Sequence, residues 1–125
     1  MAVQPRDVAE QYVKLVATGP TSAIIDLYAP DATVEDPIGS EARVGHEKIR
    51  EMYTALEYME RQTELHTVKV NGNHAAVSFT LVGTVNGQRM TLAPIDIMEF
   101  DDEGKIISMR AYWGPEDMKM EPVEG

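Results

Sequence analysis

The 125-residue sequence contains no cysteine, which removes disulfide frameworks, thiolate nucleophiles and cysteine zinc sites together. Chemistry then has to come from carboxylates, hydroxyls or the three histidines. Basic residues are scarce, with 11 Lys and Arg against 21 Asp and Glu and a net charge of −10. Such a surface repels phosphate backbones and anionic headgroups, so no nucleic acid and no membrane is expected as a partner. No apolar run nears the length that spans a bilayer, and no basic start with an apolar stretch follows Met1. A cytoplasmic location is the resulting expectation. His46, His66 and His74 are scattered without ligand spacing, so they read as surface or capping residues and no metal site is expected.

What remains is ordinary globular material: 43% hydrophobic and 26% charged residues. That length suits a single domain over residues 1–125 that buries roughly two-thirds of its unfolded surface. From Pro5 to Ala17, Val8, Tyr12, Leu15 and Val16 recur at helical spacing, and Gly19-Pro20 closes the segment. Thr21 and Ser22 can cap a second helix carrying Ile24, Leu27 and Tyr28, stopping at Pro30. A short extended piece, Ala32 to Glu35, runs into Asp36-Pro37, where the proline biases Asp36 away from helical angles. A third helix is expected from about Gly45 to Glu57, with Ile49, Met52, Tyr53 and Leu56 on one face.

Beyond it the period becomes two. Leu65 to Val70, Ala75 to Val85, Arg89 to Phe100 and Lys105 to Trp113 read as four strands separated by the turns Asn71-Gly72-Asn73, Asn86-Gly87 and Asp101-Asp102-Glu103-Gly104. Helices followed by a meander argue for an α+β domain, three N-terminal helices packed on a strongly curved, mainly antiparallel sheet. Residues Met118 to Gly125 are acidic and read as a loosely held tail.

Three tyrosines, Tyr12, Tyr28 and Tyr53, fall on the apolar stripes of three different helices, so a common core would receive three phenols. Three unrelated core tyrosines, each bonded to a backbone carbonyl, fit the same pattern. Asp96 stands on one strand face with Leu92, Met98 and Phe100, while Ile95 and Ile97 occupy the other. A carboxyl there is either exposed at a strand edge, as nearby Pro94 suggests, or buried and held neutral by desolvation. Asp36 suits a turn; beside an apolar cavity with neutral donors it also suits a general base.

These residues carry a resemblance. Gln11-Tyr12-Val13-Lys14-Leu15-Val16, Leu27-Tyr28-Ala29-Pro30-Asp31-Ala32-Thr33-Val34-Glu35-Asp36-Pro37, Gly45-His46-Glu47 through Tyr53, Ile95-Asp96-Ile97-Met98-Glu99-Phe100-Asp101 and Ala111-Tyr112-Trp113 resemble the ketosteroid isomerase family over nearly the whole chain. The resemblance implies a conical, nuclear-transport-factor-2-like barrel, usually a homodimer, acting on a small apolar ketone without a cofactor. It implies Asp36 as the base that moves a proton from C4 to C6 of a 3-oxo-Δ5-steroid. Tyr12 and Asp96 match the donors to the enolate oxygen, and Tyr28 and Tyr53 match the hydrogen-bond network behind Tyr12. Trp113 matches an aromatic lining the steroid cavity, with Phe79, Met98 and Met109 expected beside it. Ile95, Ile97, Met98, Phe100 and Trp113 are candidates for an apolar shell around Asp96. A buried aspartic acid kept neutral is what the resemblance implies for Asp96, so the resemblance and not the spacing carries that role.

Two positions depart from the family pattern. Pro94 stands where an ordinary strand residue is expected, and Ala93 stands where some relatives place another acid. Other enzymes of the same fold, such as polyketide cyclases or epoxide hydrolases, remain alternatives. An epoxide hydrolase would be expected to show an Asp-Arg-Asp arrangement, and no convincing arginine lies near Asp96. A non-catalytic hydrophobic-ligand-binding dimerisation module is the alternative of a different class; it needs no base and two donors together.

Overall fold

Helix α1 (Pro5–Thr18) starts on a proline, whose fixed φ suits a first helical turn, and ends at Gly19. A side chain at Gly19 would crowd Leu15, whose Cδ2 and carbonyl oxygen lie 2.7 and 3.2 Å from a Cβ built there, so glycine lets the chain leave the helix over Leu15 without displacing it. Val8, Ala9, Tyr12, Val13 and Val16 form the buried face of α1. Each of the three valines contributes roughly 1.5–3 kcal/mol when fully buried. The computed structural model describes residues 4–123.

The remaining elements are α2 (Thr21–Ile25), β1 (Tyr28–Glu35), β2 (Arg43–Val44), α3 (His46–Thr54) with a 3₁₀ turn at Ala55–Tyr58, β3 (Glu60–Asn71), β4 (His74–Val85), β5 (Gln88–Leu92), β6 (Ile95–Phe100), β7 (Ile106–Tyr112), a second 3₁₀ turn at Pro115–Asp117, and β8 (Met118–Pro122). Eight strands among the described residues make one sheet, β2-β1-β7-β6-β4-β5-β8, with β3 on the other edge of β4. The α+β class therefore stands, and the sheet is mixed because β1 runs parallel to β7. It curves but does not close, since β2 and β8 end the order without meeting.

Long strand β4 organises the site. One edge pairs with β3 along its length; the other is shared, its first half by β6 and its second by β5. Val77, Phe79 and Leu81 alternate inward from it, and Asp96, Met98 and Phe100 do so from β6. Helix α1 crosses β3 and is fastened to it: Thr63 Oγ1 donates to the Val13 carbonyl at 2.9 Å, and Arg61 donates to the carbonyls of Ala17 and Gly19. A cation on the last carbonyls of a helix both satisfies them and opposes the negative end of its dipole.

Several expectations need correction. The second helix stops at Ile25, and Tyr28 opens β1 instead of lying on a helical stripe. Ile106 N–H donates to the Leu27 carbonyl, and Tyr28 then pairs with Ile106, so the β7 edge captures the chain before another helical turn can form. Pro30 does not terminate a helix; it lies in the irregular stretch of β1 between Tyr28 and Thr33, where the register shifts and no ladder bond is required of it. Because β1 and β2 precede α3, the helices do not all come before the sheet. The expected strand Arg89 to Phe100 is two strands, divided at Ala93-Pro94, which turn the chain from one half of the β4 edge to the other. Finally, of the stretch Met118 to Gly125 expected as a loose tail, the last two residues lie outside the described ones, and Met118 to Pro122 is strand β8. It pairs with β5 along Gln88–Leu92, with the alternating Met-Lys-Met-Glu pattern of a strand. No helix among the described residues is long and apolar enough to cross a membrane.

Candidate active site

Tyr12 from α1, Tyr53 from α3 and Tyr28 from β1 converge in the interior. The Tyr12 and Tyr53 hydroxyl oxygens are 2.8 Å apart, and those of Tyr28 and Tyr53 are 2.6 Å apart. Three partners are thus satisfied within one network, and the reading of three unconnected core tyrosines does not hold. The Tyr12 ring meets the rings of Tyr53 and Phe79 edge-on, at 6.2 and 6.3 Å between centroids, which fixes its tilt. His46 donates from Nε2 to the Tyr28 carbonyl at 2.8 Å, tying the start of α3 to β1.

Asp96 lies on β6, flanked on both sides by β4 and β7, and is only 2% exposed. Edge exposure is therefore excluded. Its Oδ1 is buried without a hydrogen-bond partner. Burial raises the Asp96 carboxyl well above the usual range, and the negative charge of Asp36 adds to this; the Tyr12 hydroxyl offsets a part. Burial likewise pushes the phenols of Tyr12, Tyr28 and Tyr53 well above their ordinary value, so all three are protonated donors at neutral pH.

Asp36 follows β1 in a loop that is tightly held. Ile38 N–H donates to the Ala111 carbonyl at 2.7 Å, Gly39 N–H donates to Glu35 Oε2 at 2.6 Å, and Ser40 Oγ donates to the Pro37 carbonyl at 2.6 Å. Gly39 sits at φ +95°, a left-handed conformation that a side chain would strain. Trp113 Nε1 donates to Asp36 Oδ1 at 2.7 Å. Burial raises the Asp36 carboxyl, while the bond from Trp113 and the charge of Arg43 pull it back. The two aspartates are thus set apart: one has a donor and a cation for its charged form, the other has an apolar wall and an unpartnered oxygen.

A cavity of about 160 Å³ joins these groups, lined by Tyr12, Val16, Asp36, Met52, Tyr53, Leu56, Phe79, Leu81, Met90, Leu92, Pro94, Asp96 and Trp113. Of the residues singled out from the sequence, Tyr12, Asp36, Tyr53, Phe79, Asp96 and Trp113 reach it, and Tyr28 stands behind Tyr53. Met98 and Met109 do not line it. They are fully buried cross-strand partners on β6 and β7, filling the core beneath the cavity floor. Nor do Ile95 and Ile97 enclose Asp96, since they point to the opposite sheet face and Ile95 is largely exposed. The apolar wall comes instead from Phe79, Leu81, Leu92 and Pro94. Leu92 and Pro94 were discoverable, because they share the alternate positions of Asp96. No group of three metal-ligating side chains occurs among the described residues.

Comparison with known proteins fits this geometry. The SnoaL-like domain family matches residues 9–109, a span that includes both aspartates and the three network tyrosines. The steroid Delta-isomerase of Nocardioides simplex is 42% identical over 123 residues, covering 98% of this chain and 100% of that protein. The chain belongs to the ketosteroid isomerase family. Two further likenesses place this family member among neighbours of other chemistry. The epoxide hydrolase LasB of Streptomyces lasalocidi is 32% identical over 92% of this chain, which spans about half of LasB, 49% of its length. SalBIII, an epoxide hydrolase/cyclase-like enzyme in pyran ring formation in polyether salinomycin, superposes with a TM-score of 0.85 at 28% identity, covering 96% of this chain and 95% of its own. A Mycobacterium tuberculosis protein superposes at 0.84 with 20% identity, covering 97% and 100%, a likeness of fold alone.

Proposed function

We propose that this enzyme converts 3-oxo-Δ5-steroids to conjugated 3-oxo-Δ4-steroids by moving one proton from C4 to C6. Asp36 takes the C4 proton as general base. The electron pair left behind delocalises into the carbonyl, giving a dienolate whose oxygen receives hydrogen bonds from Tyr12 and from protonated Asp96. Asp36 then returns the proton at C6. Each hydroxyl has a single hydrogen, so for Tyr12 to donate to the substrate it must accept from Tyr53, which in turn accepts from Tyr28. Donors already aimed where charge develops each contribute on the order of 3–4 kcal/mol to the transition state when the bound substrate displaces water. Nothing in this path draws on groups other than the chain's own.

The observation that carries the reading is the presence on one apolar cavity of a supported carboxylate and an unsupported one, with a phenol beside the latter. The full-length likeness to a steroid Delta-isomerase supports the substrate class. Epoxide opening has support from LasB and SalBIII. The absence of an arginine from the cavity lining and the three-phenol network favour the isomerase. A homodimer belongs to the same reading, and the outward face of β6 and β7, where Ile95 pairs with Tyr112, offers it an apolar surface. The test is growth of conjugated-enone ultraviolet absorbance when 3-oxo-Δ5-steroid is mixed with the protein. Binding without that absorbance, or turnover of an epoxide in its place, would remove the proposal.

A further inference from the structure

Arg43 stands on β2, at one end of the sheet order, and the register of the first two strands fixes where it points. It lies directly opposite Val34 in the antiparallel β1-β2 pair, and opposed residues project to the same face. Val34 is fully buried, so Arg43 takes the inward side, where α3 packs against both strands. Asp36 follows Val34 by two residues and keeps that side, as its place on the cavity shows. Arg43 and Asp36 are thus diagonal neighbours, a separation that a long side chain spans. Glu35 and Arg110, register partners on β1 and β7, take the opposite face.

The guanidinium is clasped by α3. Its Nη1 donates to the Lys48 carbonyl at 3.2 Å and lies 4.0 Å from Glu51 Oε1, while Lys48 Nζ reaches the other Glu51 oxygen at 3.9 Å. These side chains line a recess with Glu41, Ala42 and Val44, and none of them lines the cavity. A guanidinium keeps its charge throughout the range in which carboxyls titrate. It therefore acts on Asp36 as a constant field, opposing the effect of burial there. From the cavity side, the groups that bear on Asp36 are the Trp113 N–H and the Asp96 carboxyl. Glu51 is the counterweight on α3, since its negative charge beside Arg43 subtracts from the field at the base.

We infer that Arg43 is a positioning residue for the proposed reaction, a fixed cation outside the cavity that favours the anionic form of the base, and that Glu51 limits how much of this charge reaches Asp36. The inference rests on the isomerase reading for the role of Asp36. Its test therefore follows the Asp36 carboxyl itself, by nuclear magnetic resonance of carbon-13-labelled aspartate, alongside the pH profile of kcat/KM. Arg43→Gln should move the Asp36 titration and the acid limb to higher pH, and lower kcat/KM on that limb about two- to fivefold, the scale of a part-exposed charge pair. Glu51→Gln should move both the other way. Arg43→Lys, which keeps the charge, should hold both near the wild-type position. The gap between Arg43→Gln and wild type should narrow from about 0.02 to about 0.5 M salt, because an exposed charge is screened. An Asp36 titration that ignores Arg43→Gln overturns the inference. So does one that moves in the same direction in Arg43→Gln and Glu51→Gln, which would mark damage to the contact between β2 and α3. A wild type whose Asp36 titration responds as expected, yet which never isomerises the Δ5 substrate, overturns the isomerase reading and leaves the pairing of Arg43 with Asp36 standing.

Discussion

Trp113 donates its indole N–H to Oδ1 of Asp36 across 2.7 Å, joining the end of β7 to the loop that leaves β1. The bond favours the charged carboxylate, against burial, which disfavours it. In the proposed mechanism Trp113 therefore positions the base, besides lining the cavity. Replacing it with Phe keeps most of the apolar surface and removes the donor. The Asp36 carboxyl should then rise further, and the acid limb of the kcat/KM profile should move to higher pH. An unchanged limb with a raised KM would leave Trp113 only a lining role.

The base itself is tested by Asp36→Asn, which preserves shape and removes proton transfer. Activity should fall by roughly 10²- to 10⁴-fold, the usual contribution of a positioned general base. Affinity for the 3-oxo-Δ4-steroid should change little. A variant that keeps most of its turnover would exclude Asp36 from the role.

The two donors should behave as groups whose bonds strengthen only as charge develops. Tyr12→Phe and Asp96→Ala are each expected to lower kcat about 10²- to 10³-fold with small effects on KM. Tyr53→Phe, one bond removed from the substrate, should cost about tenfold, the worth of one ordinary hydrogen bond. If the Tyr12 and Asp96 variants chiefly raised KM, they would be holding the ground state and not the dienolate.

Asp96 also has a stability signature. Its carboxyl is raised in the folded protein, so between the ordinary carboxylate range and that higher value the native state holds a proton that the unfolded chain has lost. Stability must then fall as pH rises through this window. Asp96→Asn, which carries no titrating group, should raise Tm at pH 7 relative to wild type, with the gain shrinking toward pH 4. Thermal unfolding at the two pH values measures it, and a variant less stable at pH 7 than wild type would mean that Asp96 is ionised and satisfied there. Such a gain with loss of activity is the expected trade where a site stores an unfavourable group.

The fold class and most of the site were legible because they rest on local patterns: the helical stripe that carries Tyr12, the period-two runs, and an aspartate among apolar residues. What was not legible depends on pairing between distant segments. Tyr28 has helical spacing with Ile24, yet the edge of β7 claims it for β1; its phenol still reaches Tyr53 because β1 passes beside α3. Whether Arg89 to Phe100 is one strand or two depends on β4 having a long edge to share, which no local window contains. Met98 and Met109 share the inward parity of the cavity residues, and depth below the floor is a property of the assembled sheet. β8 carries a visible Met-Lys-Met-Glu alternation, but five residues in an acidic stretch gain strand character only from β5.

One titration bears on all of this most directly. Selective carbon-13 labelling of aspartate side chains, with Asp36→Asn and Asp96→Asn to assign the signals, follows both carboxyls in the folded enzyme by nuclear magnetic resonance. Asp96 should remain protonated at pH 7 while Asp36 has already lost its proton. An Asp96 signal that titrates in the ordinary carboxylate range would contradict it, since an ionised acid beside Tyr12 could not donate to an enolate oxygen.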